Sequence, residues 1–285
     1  MFDKLKAMFR IGGAKIGMVE TLNRITDHPK IGVNTAEIDR IMDNKRIYKN
    51  KFPDVSYVNS DGMRMHRAFH SLNVSKVVSR KLAKLVFNDG CAISIDDDEA
   101  DQFLQSVFND NKFRKNFGEE LEAGYAIGGL VLRPYVDTKT NKIKISFCRA
   151  DTFYPLQSNT NDISEAAIAT ITQQTEGKKN VYYTLLEFHE WENSTYYIRN
   201  ELYRSEEQSQ TGVRVPLPTL DKYKELKEET ALVGFTRPLF VYIKLAGKNN
   251  IDIDSPLSLG IIDNAKRQLI DINEKYDEFM NEVEE

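Results

Sequence analysis

His66 and His70, four residues apart in "HRAFH", are the first pair in this chain whose spacing could do chemistry. On a helix they would share one face, as in the zinc-binding HExxH pattern, where a glutamate follows the first histidine. Here Arg67 takes that place, and a cation beside a metal opposes it, so a plain helix face is the expected reading. The carboxylate run "DDDEAD", Asp96 to Asp101, lacks the glycine at the sixth place of an EF-hand and has Val107 at the twelfth. Acidic residues opening a helix are explained by capping and the macrodipole. "IGGAKIG" lacks the Lys-Ser/Thr ending of a phosphate loop. In "AGKNN" Asn249 follows Lys248, and Tyr242 stands where the first glycine should be. The doublet Gly128–Gly129 in "GYAIGGLV" reads as a bulge inside a strand. There is no GxSxG. His189 and Glu190 are adjacent on an expected strand and so face opposite sides. These residues make no recognisable catalytic constellation. The expectation is a non-enzymatic protein with no cofactor and no metal site.

The elements that would position these residues belong to a globular chain of 285 residues, 41% hydrophobic and 29% charged, with a net charge of -4. That charge argues against electrostatic wrapping of nucleic acid, which needs a basic face. Cys91 and Cys148 are too few for a disulfide framework or a cysteine zinc site, and a reducing setting is expected. The N-terminus has cations but no continuous apolar core of a signal peptide. No apolar run is long enough to span a membrane.

The pattern predicts an α+β fold: a helical N-terminal part, an antiparallel sheet body and a long C-terminal helix. The expected divisions are 1–60 as a helical arm, 61–250 as the α+β body, and 251–285 as the final helix. At the start, Phe2, Leu5, Met8 and Phe9 form an apolar stripe beside Lys4, Lys6 and Arg10. It suits an arm against its own or a neighbouring subunit better than a membrane surface. A helix opens at Asn34 or Thr35. "NVSKVVSRKLAKLVFNDG" reads as a helix capped by Asn73, with Val74, Val77, Val78, Leu82, Leu85 and Val86 on one face. "CAISI" reads as a brief strand, followed by two helices meeting near Asn109–Asn111. From "YAIGGLVLRPYVD" onward the period changes to two, predicting a run of antiparallel strands. "TLDKYKELKEE" reads as a short charged helix and "PLFVYIKL" as one more strand.

Ser255 and Pro256 suggest a cap and first-turn proline for a final helix. In that helix Ile262, Ala265, Leu269, Ile272, Tyr276, Phe279 and Val283 are spaced alternately three and four apart, a heptad seam. Starting at Pro256 the rod would reach roughly 45 Å. Burying each large seam residue is worth about 1.5–3 kcal/mol, against the same chain or a neighbouring subunit.

Several stretches carry a family resemblance: "NVSKVVSRKLAKLVFNDG", "NKFRKNFGEELEAGYAIGGLVLRPYVD", "RADTFYPLQSNTNDISEAAIAT", "YYTLLEFHEWENSTYYIRNELYRS", and the run from "LFVYIKLAGKNN" through "SPLSLG" to "IDINEKYDEF". In this order and over most of the chain from Asn73, they resemble the portal proteins of tailed bacteriophages, in the branch called minor capsid protein 1 and typified by a Listeria phage family. The resemblance implies a structural subunit of a ring, usually a dodecamer, at one capsid vertex. Double-stranded DNA is pumped through that ring by a separate terminase and leaves through it on infection, without sequence recognition. It implies self-association, partners among terminase, head and neck proteins, and no membrane. It places the protein in the virion, assembled in the bacterial host cytoplasm, with a prophage as one source. The α+β body would be the portal wing, and the last helix would lead toward the stem and clip. Relative to that family the chain is expected to be truncated after the last helix, so channel-lining and terminase-contacting residues fall on no residue here. The rival readings are a metal-dependent phage nuclease using Asp96, Asp97, Asp98 and His66 or His70, and a host-interaction module.

Overall fold

A computed structural model describes residues 21–137, 139–158, 162–245 and 247–284. The amphipathic stretch Phe2–Arg10 and "IGGAKIG" lie outside the described residues. The fold is α+β, in two compact units. The described part of the first lies within Met1–Thr35 and Thr152–Pro238, and the second comprises Ala36–Asp151 and Leu239–Glu285.

Among the described residues the first unit is built on a seven-stranded antiparallel sheet. Its centre is a meander of β7 (Ile163–Glu176), β8 (Lys179–Glu192) and β9 (Thr195–Ser205). The turn between β8 and β9 is Asn193–Ser194, both at positive φ, which is the backbone a two-residue hairpin needs. Strand β6 (Phe153–Ser158) extends the sheet beside β7, while β10 (Gly212–Val215) and β1 (Thr21–Leu22) extend it beyond β9. Strand β11 (Glu229–Leu232) also pairs with β9. Val181, Tyr183 and Leu185 on β8 pack with Leu202, Leu217, Leu220 and Tyr223, while Leu186 and Phe188 are buried on the opposite face of β8. The segment expected as a charged helix is instead two 3₁₀ turns, Leu217–Thr219 and Asp221–Tyr223. Pro216 and Pro218 cannot donate to an α-helical ladder. Leu217, Leu220, Tyr223 and Leu226 recur every third residue, the 3₁₀ period, and pack on this core cluster.

The second unit opens with α1 (Thr35–Tyr48) and the hairpin of β2 (Val55–Val58) and β3 (Arg64–Arg67). Then come α2 (Val74–Val86), α3 (Asp98–Asp110) and α4 (Phe113–Ile127). Asn73 caps α2 by accepting from the Lys76 amide. The chain continues into β4 (Leu130–Asp137) and β5 (Lys142–Arg149), and later adds β12 (Val241–Ile243) against β4. It closes with α5 (Lys266–Glu284).

Four expectations change in this unit. His66 lies on β3, so the His66–His70 helix face does not exist. "CAISI" forms no strand. Tyr125–Ile127 belongs to α4, and Gly128–Gly129 are the hinge between helix and strand. Both glycines hold positive φ, and Gly128 caps α4 in the left-handed region. The final helix begins at Lys266, after a 3₁₀ turn at Asp263–Ala265, and spans roughly 28 Å. Residues 256–262 are held out of helix by the hinge. Ile261 N–H donates to the Tyr125 carbonyl at 2.8 Å, and a Cβ at Gly260 would stand 2.2 Å from the Ala126 carbonyl oxygen.

Candidate functional site

The second unit holds a buried polar hub made from "NTAEIDRIMDN" on α1 and "NNIDIDSPLSLGIID" before α5. The Glu37 carboxylate accepts from Arg40 (Nε to Oε1, 3.1 Å), Asn249 Nδ2 (3.1 Å) and Ser255 Oγ (2.9 Å). Arg40 also donates to Asp263 at 2.5 Å, and Asp263 accepts further from Asn44 Nδ2 (2.7 Å) and the Gly260 amide (2.7 Å). Buried charges persist only when paired and hydrogen-bonded in this way. Beside it, the Ser258 amide donates to Tyr242 Oη at 2.9 Å. The Gly128 carbonyl lies 3.1 Å from both the Tyr242 and Ser258 hydroxyls. Burial pushes the Tyr242 phenol above its ordinary pKa. Ser255 is therefore not a helix cap, and the Asn249 side chain organises its own turn by accepting from the Ile251 and Asp252 amides. The hub fixes backbone; it presents no reactive group to solvent.

A second set of contacts holds α5. Arg67 grips Asp277 with two N–H groups at 2.6 and 2.8 Å, and the His70 amide donates to the same carboxylate at 2.8 Å. The Leu72 amide donates to Asn273 Oδ1 at 2.7 Å, while Asn273 Nδ2 returns to the Leu269 carbonyl. So α5 is anchored through polar residues one position beyond seam residues Ile272 and Tyr276. Of the seam itself, Ile262 is fully buried before the helix, and Leu269 and Tyr276 are half-buried. Ile272, Phe279 and Val283 are 48%, 58% and 62% exposed. Exposed Asp271, Glu278 and Glu282 run alongside them.

The expected apolar face of α2 is likewise largely outward. Val77, Val78 and Leu85 are 57%, 40% and 74% exposed, whereas Ser75, Ser79 and Ala83 are buried. Lys76, Arg80, Lys81 and Lys84 are exposed on the same helix, which carries no acidic residue. Near its end a cavity of about 360 Å³ is lined by Phe87, Ile93, Phe108 and Phe113, with Lys112 and Arg114 also on its wall.

The candidate catalytic residues do not converge. Asp97 caps α3 through the Ala100 amide, and Asp101 accepts from the Ile95 amide and Gln105. Among the described residues no group of three or more His, Cys, Asp or Glu could hold a metal ion. In the first unit His189 is buried between Tyr196 Oη (2.5 Å from Nδ1) and Glu187 (2.7 Å from Nε2). Its neighbour Glu190 points elsewhere, to Lys30 and Arg199. Neither Cys91 nor Cys148 is in a disulfide. No described helix is long and apolar enough to cross a membrane. Sequence reasoning missed the hub and the Asn273–Asp277 anchor. The polar pair at i and i+4 inside the final helix was the available signal.

No curated protein matches the chain. The family model for phage portal proteins of the SPP1 Gp6-like type matches residues 27–285, which takes in the hub, the anchor and both exposed helix faces. This chain belongs to the phage portal protein family, SPP1 Gp6-like.

Proposed function

We propose that this chain is the structural subunit of a portal ring, the connector at one capsid vertex through which double-stranded DNA enters and leaves. The family match over residues 27–285 carries the reading. Two further features support it. The residues of the specific sequence stretches, such as "SPLSLG", spend their polar groups on fixing backbone rather than on a reactive site. The net charge of -4 suits a body past which DNA must slide, since a strongly basic surface would grip the phosphates. In this reading the partners are further copies of the chain, a dodecamer by family resemblance, together with terminase, head and neck proteins. DNA passes without sequence recognition. The protein assembles in the bacterial cytoplasm and resides at the virion's portal vertex.

Electron microscopy of the portal subunit that carries this chain, alone and with phage head proteins, is expected to show closed rings with a channel wide enough for duplex DNA. A protein that stays monomeric throughout, or one that cleaves DNA with a divalent metal and loses that activity on Asp97→Ala, would overturn the proposal.

A further inference from the structure

An amphipathic helix normally turns its apolar stripe to the core. Both α2 and α5 leave a large part of theirs exposed. Helix α5 is held by Asn273 and Asp277, so Ile272, Phe279 and Val283 face solvent. Helix α2 buries Ser75, Ser79 and Ala83, so Val77, Val78 and Leu85 face solvent. The two stripes carry opposite charge. Along the first, exposed Asp271, Glu274, Glu278 and Glu282 outnumber Arg267 and Lys275, which pair with Asp271 and Glu278, and Lys76, Lys81 and Lys84 accompany the second.

From this we infer that the exposed stripe of α5 in one subunit docks on the exposed stripe of α2 in the next. The inference rests on the ring-subunit reading and names its interface. Charge decides the pairing. Two copies of α5 face to face would oppose carboxylates, and two copies of α2 would oppose ammonium groups. Like charges brought together at an interface are costly. Pairing α5 with α2 covers both apolar stripes and neutralises both flanks. Such a contact is heterologous, joining different patches on successive copies, and heterologous contacts close into rings when the rotation allows.

Charge reversal tests it. In the full chain, Lys81→Glu with Lys84→Glu is expected to raise the dissociation constant for self-association about tenfold or more. Glu278→Lys with Glu282→Lys should do the same, and the four changes together should return it to within about twofold. Sedimentation measures the affinity, and circular dichroism confirms that each variant is folded. A disulfide test is independent of affinity. With Cys91→Ser and Cys148→Ser as background, Leu85→Cys plus Phe279→Cys should give a ladder of covalent multimers on oxidation. Either cysteine alone should give no dimer.

Oligomers indifferent to both reversals, or a covalent dimer from one cysteine alone, would remove this interface and leave the ring reading standing. A Phe9→Cys to Phe279→Cys link within a monomer would show instead that the chain's own N-terminal segment covers α5, and would overturn the inference. Failure of the unaltered chain to associate at any concentration is the distinct result that sinks the ring reading itself.

Discussion

Asp277 shows how one side chain can set the orientation of a helix. The Arg67 guanidinium first, and then the His70 amide, hold its carboxyl below the ordinary aspartate range, against the opposing effect of burial. A depressed carboxylate contributes stability that is present above its unfolded pKa and is lost as pH falls through its folded value. Asp277→Asn is therefore expected to cost about 3 kcal/mol at neutral pH, because it removes the buried carboxylate that accepts two bonds from Arg67. The gap between wild type and variant should close as the buffer is acidified below the carboxylate range, and urea denaturation across that range measures it. In the other unit Glu201 follows the same logic. Burial opposes its charge, but the His28 and Tyr203 contacts and nearby Arg214 outweigh burial and lower its pKa. At this scale the sequence was least legible. Asp277 and Glu37 look like ordinary surface acids within helical patterns, and their partners lie 210 and 218 residues away.

Elements were more legible where period and punctuation agree. The long strands β7, β8 and β9 follow from alternation and short turns, and α2 from its Asn73 cap. The break between α3 and α4 was expected near Asn109–Asn111, and α3 ends at Asp110. The start of α5 was not legible, because Ser255 and Pro256 imitate a helix opening while tertiary hydrogen bonds claim that segment. The seam was legible as a pattern, but not which part of it would be covered. That division makes a prediction. Ile272→Asp, on the open side, should leave unfolding free energy within about 0.5 kcal/mol of wild type. Leu269→Asp, at the half-buried position, should cost about 2 kcal/mol or more. Thermal melts of the two variants compare them directly, and equal losses would show that Ile272 packs within its own subunit.

At the scale of the whole molecule the chain passes between its units three times, near residues 35, 151 and 238. The second unit is thus interrupted by six of the seven described strands of the first unit's sheet, β1 alone preceding it. Its hub joins α1 to residues more than two hundred positions later: Glu37 to Asn249 across 212, and Arg40 to Asp263 across 223. This discontinuity has a consequence during synthesis. When α1 leaves the ribosome, Glu37 and Arg40 have each other but neither Asn249 nor Asp263. Roughly 200 residues, the rest of the second unit's first stretch and then the first unit's 152–238, must follow before those partners begin to be made. At about 5–20 residues per second that is a delay of some 10–40 s. Ribosome-bound chains arrested after residue 238 and extended past the exit tunnel are expected to protect the first unit's sheet from protease while α1 is cut. Protection of both before residue 239 is translated would overturn this order. A subunit built this way withholds the anchored α5 until the first unit's strands have been made, so shorter nascent chains cannot offer that face to one another on a crowded polysome.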